Sequence, residues 1–233
     1  MPVRKKSSRR PMPRRRRRRL AKTSIAPPKT YLQNYGVPQV SRRKLTYSTT
    51  VTLSSAASAI ANQKFTGNGI YDPDVTGVGH QPYGYDQLSL IYSKYRVISA
   101  KCHVDIVNNG TQTSIQHVGV LAAKSAVFPT TALSTIYEKS RGKNMAMFGA
   151  NSRDRLKTSV SASTKAIWAV KDISDDEDFQ GLTGNTPIGA NPVNSWYFHV
   201  FNQSISGTTT GVVANVVIEY YVEFFNPIIA DSS

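Results

Sequence analysis

From Lys44 to Leu53 apolar and polar residues alternate: Leu45, Tyr47, Thr49, Val51 and Leu53 share one side, and Lys44, Thr46, Ser48, Thr50 and Thr52 the other. A period of two, rich in β-branched residues, predicts a half-buried strand. The same period returns at 97–106. There Ile98, Ala100, Cys102, Val104 and Ile106 oppose Val97, Ser99, Lys101, His103 and Asp105, before the turn residues Asn108-Asn109-Gly110. Gln116 to Ala122, with Val118, Val120 and Ala122, reads as the neighbour of that strand. Around Trp196, Phe198 and Val200 the alternate residues Tyr197, His199 and Phe201 are also bulky, which predicts a strand covered on both faces. The last strand is expected over 212–225, with Ala214, Val216, Ile218, Tyr220, Val222 and Phe224 inward, after a hairpin turn at 208–211. Shorter strands are expected at 144–148, 156–162 and 166–171.

Between these runs the chain reads as loop. Residues 54–83 are small, polar and broken by Gly67, Gly69, Pro73, Gly77, Gly79 and Pro82. Residues 85–94 hold a short helix pattern, capped by Asp86, with Leu88, Ile91, Tyr92 and Tyr95 at three- and four-residue spacings. A second short helix is expected over 129–139, beside a basic loop of Lys139, Arg141 and Lys143. Asp172 to Asp178 is an acidic surface loop, and 181–194 is rich in turns. About eight strands, short helices confined to connections, and no βαβ alternation predict an all-β chain. The expected architecture is a single eight-stranded antiparallel jelly roll, a two-sheet sandwich that places its variation in long loops.

Charge adds a second organising feature. Residues 1–22 hold nine Arg and three Lys without an acid: Arg4, Lys5, Lys6, Arg9, Arg10, Arg14, Arg15, Arg16, Arg17, Arg18, Arg19 and Lys22. With Lys29, Arg42, Arg43 and Lys44, residues 1–44 carry sixteen of the 29 bases, and the first acid is Asp72. That leaves thirteen bases and all fourteen acids for residues 45–233, a net of −1 within a chain of +15. Adjacent guanidinium groups repel one another, and Pro2, Pro11 and Pro13 interrupt regular structure. The leader is therefore expected to be a disordered basic arm until a polyanion condenses on it. We place the arm and its Pro-containing linker at 1–43 and the folded domain at 44–233. The expected nucleic-acid-binding residues are those twelve leader bases with Arg42, Arg43 and Lys44, because arginine pairs bidentately with phosphate and keeps its charge. The run Arg14 to Arg19 reads equally as a nuclear import signal and as a packaging tract. Lys44, Lys101 and Lys64 are candidates for an inner basic face. Tyr31, Tyr35 and Tyr47 are placed either to stack on bases or to pack at the arm's root.

Chemistry of other kinds has little footing. His80, His103, His117 and His199 are scattered without metal-ligand spacing, and His103 and His199 read as satisfied sheet residues. Cys102, the sole cysteine, falls on an apolar strand face and reads as core. There is no phosphate-binding glycine loop, and the acids at 172–178 lack the ligand spacing of a calcium loop. No catalytic residue, metal or cofactor is expected. No run approaches the roughly 20 apolar residues of a membrane span, and no apolar segment follows the basic start, so neither membrane insertion nor a secretory signal is expected. Asn109-Gly110-Thr111 and Asn202-Gln203-Ser204 match glycosylation acceptors by pattern alone.

With these features in place, the chain resembles the capsid proteins of circovirus-like small circular single-stranded DNA viruses. The resemblance lies in the Arg-rich start, in Pro82-Tyr83-Gly84-Tyr85-Asp86 leading into Tyr92-Ser93-Lys94-Tyr95-Arg96-Val97, in the strand Ser99 to Ile106, and in the aromatic, valine-rich terminal strand. It covers the whole length in layout and specific wording only over 82–109. It implies a non-enzymatic coat protein, a closed icosahedral shell of sixty copies, and a basic arm inside that shell on a single-stranded DNA genome. It also implies a virion component that passes through the host nucleus with the help of import receptors. Coat proteins of small positive-strand RNA or satellite viruses share the arm and the sandwich. A cellular nucleic-acid-binding protein shares the arm but would spread bases over its folded surface, and a jelly-roll lectin or cupin needs no polyarginine.

Overall fold

The computed structural model describes residues 37–56, 59–77, 79–109, 115–128, 136, 138, 142–147, 155–184, 189–205 and 210–228, with 142–147 and 210 as backbone only. Two long strands, β1 (Val40–Ser55) and β9 (Thr210–Pro227), run antiparallel over their whole shared length, from Val40 opposite Phe225 to Ser55 opposite Thr210. The other strands are β2 (Ile60–Thr66), β3 (Tyr92–Asn108), β4 (Gln116–Ala123), β5 (Gly142–Met147), β6 (Arg155–Ser163), the two-residue β7 (Gly181–Leu182) and β8 (Tyr197–Ser204). Setting β7 aside, the pairs nest: β1 with β9, β2 with β8, β3 with β6, and β4 with β5. This is one long antiparallel ribbon folded at its middle. Rolling the ribbon adds β3 to β9 and β4 to β8, which closes two sheets of order β1-β9-β3-β6 and β2-β8-β4-β5. That winding is the jelly roll, and the expected all-β sandwich is the fold of the chain.

The inner faces supply the core. Tyr47 from β1, Phe65 from β2, Cys102 and Ile106 from β3, Val118 and Val120 from β4, Phe198 and Val200 from β8, and Ala214 to Phe224 at alternate positions of β9 are buried together with Trp196. Each large apolar side chain withdrawn this way contributes roughly 1.5–3 kcal/mol. The second sheet is also covered outside. Phe128 packs edge-on against Phe201 and His199, and Ser125 accepts a hydrogen bond from His199 Nε2 at 2.9 Å. Both faces of β4 and β8 are therefore buried, as the bulky alternation of 196–201 predicts.

Several local expectations are corrected. Residues 54–83 contain β2, hidden from the pattern by Asn62, Gln63 and Lys64 and specified by pairing with β8. The helix α1 (Tyr85–Ser89) is one turn capped by Gly84 at φ 86°, not by Asp86, and Tyr92 and Tyr95 already belong to β3. β3 and β4 are not neighbours, because they lie in opposite sheets, and β8 and β9 likewise form no hairpin. Residues 164–168 form the helix α2 (Thr164–Trp168) rather than a strand. Ser163 caps it by accepting from Ala166 N, and Ala169 ends it at φ 56°. The expected helix at 129–139 lies outside the described residues except for Ile136 and Glu138, which are helical.

The most consequential difference sits in β3. Its register against β9 shifts between Val97 and Ser99, a bulge that reverses the facing of the residues before it. Val97 is therefore buried, and Ile98, expected inward, is left half-buried.

Candidate nucleic-acid interface

Among the expected binding residues, Arg4 through Lys22 lie outside the described residues, as do Tyr31 and Tyr35. Arg42, Arg43 and Lys44 are placed, and β1 begins at Val40, ahead of all three. Register sets their neighbours. Across the first sheet Arg42 stands opposite Glu223 and then Arg96, Lys44 opposite Tyr221 and then Ser99, and Thr46 opposite Glu219 and then Lys101. The outer face of this sheet thus carries Arg42, Lys44, Lys94, Arg96, Lys101, Arg155 and Lys157 against Asp105, Glu219 and Glu223, with Glu177 reaching Lys94 from the acidic loop. Seven bases against four acids make it a cationic surface, two of the bases, Arg42 and Lys44, coming from the basic first 44 residues and the rest from a span of net charge −1.

The three acids on the strands are all engaged. Glu223, whose side chain is 7 % exposed, accepts from Arg42 Nε at 2.7 Å and from Arg96 Nε at 2.6 Å. Burial works to raise its pKa, but the two guanidinium groups outweigh burial and hold the carboxyl below its usual value. Arg96 also donates to the Ser174 carbonyl at 2.7 Å and lies 5.0 Å from the Phe225 ring centre. Glu219 accepts from Lys44 Nζ at 2.6 Å, and His103 Nε2 lies 3.6 Å from its second oxygen. That hydrogen bond lowers the Glu219 carboxyl and raises the Lys44 ammonium. Asp105 receives Arg155 through two nitrogens, and this pairing lowers its pKa. Lys101 forms no ion pair among the described residues, so it is a cation this face leaves available, whereas Arg43, opposite Val222, alternates onto the other side of the sheet.

Other candidates fall elsewhere. Lys64 is on β2, in the second sheet beside His199, so it does not join Lys44 and Lys101 on one face. Tyr47 is fully buried and packs on Phe65, which removes it as a stacking platform. His199 is buried between Ser125 and Asn62, as expected of a satisfied sheet residue, and burial lowers its pKa. His103 is on the outer face beside Glu219. Cys102 is buried and its thiol pKa is raised by desolvation, in keeping with core packing. Asn202 is fully buried, so its acceptor pattern is fortuitous. In the acidic loop Asp172 binds its own backbone. Its carboxylate accepts from Ser174 Oγ and from the amides of Ser174 and Ile173, which brings its pKa down to about 2. Among the described residues no three His, Cys, Asp or Glu gather as a metal site.

The residues missed by sequence reasoning are Tyr221, Ile98, Glu219 and Glu223. A signal existed for the β9 members, since two acids and two aromatics occupy the non-core side of an otherwise apolar strand. For Ile98 none existed, because the bulge that turns it outward leaves no trace in the alternation.

No protein-family model matches the chain. No curated protein matches it in sequence. Solved structures similar to it include the mud crab tombus-like virus, at 12 % identity and a TM-score of 0.45 over 85 % of this chain and 96 % of that one. They also include the giant freshwater prawn Macrobrachium rosenbergii nodavirus semi-empty virus-like particle, at 11 % and 0.44 over 84 % and 100 %. A third is the 60-mer BFDV capsid protein, at 14 % and 0.42 over 84 % and 100 %. The likeness is one of fold, and no virus group is singled out.

Proposed function

We propose that this chain is a viral coat protein whose jelly roll tiles with copies of itself into a small icosahedral shell, and whose basic arm gathers a single-stranded DNA genome. The observation that carries this reading is the division of charge. Sixteen bases precede residue 45, the rest of the chain is net −1, and that rest folds as a jelly roll. Residues 1–43 serve as the arm and 44–233 as the shell domain. The arm's last two bases, Arg42 and Arg43, already belong to β1 and lead onto the cationic face of the first sheet.

Binding of this kind is insensitive to sequence and steep in salt, because each phosphate contact releases condensed counterions. A shell of sixty copies would bring charge for roughly a thousand nucleotides at one base per phosphate. The run Arg14 to Arg19 doubles as the nuclear import signal, read by host import receptors. A reporter fused to residues 1–22 is expected to accumulate in nuclei, and cytoplasmic retention would remove that role.

The packaging role is tested by deleting residues 1–22. The shortened chain is expected to fold and to lose its DNA cargo, and packaging at the full chain's density would show that the arm is not the genome grip. Nuclease digestion of opened particles decides between DNA and RNA. Cargo destroyed by RNase and untouched by DNase would assign the protein to an RNA virus instead.

A further inference from the structure

On the cationic face a recess of about 410 Å³ is lined by Arg42, Arg43, Lys44, Ile98, Tyr221 and Val222. It sets an aromatic and an aliphatic side chain beside the outward cations Arg42 and Lys44. Tyr221 is 44 % exposed although it sits in a central strand, and Lys44 Nζ stands 6.0 Å from its ring centre. The opposing apolar wall, Ile98, reaches this face because the β3 bulge turns it away from the core. Two of the cations are already matched, Arg42 by Glu223 and Lys44 by Glu219. Arg43, the third lining cation, stands opposite Val222 on the other side of the pleat, so the face itself offers Arg42 and Lys44.

We infer that this recess seats one unpaired base of a single-stranded nucleic acid, stacked on Tyr221 beside Ile98, with the adjoining phosphate on Arg42, whose side chain is 79 % exposed. The inference rests on the proposed nucleic-acid cargo and adds a fixed position to what the arm alone would hold loosely. An open aromatic face flanked by positive charge is the usual platform for single strands, since every base has a π-face and sequence need not be read. A duplex cannot use it, because paired bases keep their faces inside the stack. The acids at the rim fit the same picture. Glu219 holds Lys44 as a wall of the recess, and Glu223 takes the Nε of Arg42, which leaves the terminal nitrogens of that exposed guanidinium to the phosphate.

The test uses the full chain and an oligo-dT strand carrying 5-iododeoxyuridine, irradiated and mapped by mass spectrometry after proteolysis. Adducts are expected at Tyr221. Tyr221→Leu is expected to weaken oligo-dT binding about tenfold, within what stacking of one base contributes. It should leave binding of an abasic strand of equal length unchanged, whereas Tyr221→Phe keeps both. Arg42→Ala should weaken both strands. Adducts confined to other residues, with Tyr221→Leu binding oligo-dT like the unaltered chain, would overturn the site and leave the cargo reading standing. Failure of the unaltered chain to bind either strand at low salt would overturn both.

Discussion

Glu223 is the residue on which the cationic face turns, because one buried carboxylate holds guanidinium groups from two different strands. Arg42 comes from β1 and Arg96 from β3, and Glu223 on β9 lies between them. Removing the charge leaves Arg96 without its partner in a largely enclosed position. Glu223→Gln is expected to cost about 2 kcal/mol, below the value for a fully buried pair because the Arg42 side chain is 79 % exposed. Urea unfolding at neutral pH measures it, and an unchanged midpoint would show that the pair is ornamental to stability. The pH dependence follows from the same groups. A carboxyl held below its ordinary value of 4.5 adds stability above that value and loses it as pH falls through the folded pKa. His117 and His199, both lowered from 6.5 by burial, resist protonation in the folded state. Their contribution therefore starts to fall as pH drops below 6.5, where the unfolded chain gains protons. Stability should decline in two stages on acidification, and Glu223→Gln should reduce only the stage below pH 4.5, which Asp105 and Glu219 share. A decline that begins on the alkaline side would contradict the assignment.

At the scale of elements, β9 and the distal half of β3 are legible because one face is apolar at every second position and the other is not, so a slip by one residue would expose the whole set. β2 is not legible, since its stability comes from a partner some 140 residues away rather than from its own pattern. The same cause hides sheet membership. Turn residues after Asn108 and before Gly211 suggest hairpins, but the ribbon is rolled there and the chain passes from one sheet to the other. Of the candidate interface, the bases were visible and their arrangement was not, because the bulge that brings Ile98 beside Tyr221 is a property of pairing. Loops that look structureless in sequence are tied to the sandwich by buried side chains. Asn68 accepts from Trp196 N and donates to the Asn194 carbonyl, while Tyr95 Oη meets the amide of Ile70 and the carbonyl of Ala190. Gly67 sits against the Trp196 ring, where a Cβ would overlap it. Gly67→Ala is expected to destabilise the fold by about 1–3 kcal/mol through overpacking. Denaturant titration checks this, and a neutral result would mean that the 67–74 segment yields freely.

For the whole molecule, the coat-protein reading requires surfaces that copies can cover. Around α1, Tyr83 and Leu90 are 94 % and 68 % exposed, and Ile91 is bridged to Ile228 by a backbone hydrogen bond of 2.8 Å. On the coat-protein reading, these exposed apolar side chains are where a contact between copies is expected. Leu90→Asp is expected to leave thermal unfolding of the subunit nearly unchanged while lowering the yield of assembled particles at least several-fold, as read by sedimentation. Equal yields would place the contacts elsewhere. The division between a neutral tile and a cationic leader is tested most directly by electron microscopy of the full-length chain mixed with single-stranded DNA at low salt. Closed particles of uniform diameter with nucleic acid inside are the expected result, and dispersed monomers under those conditions would contradict the proposal.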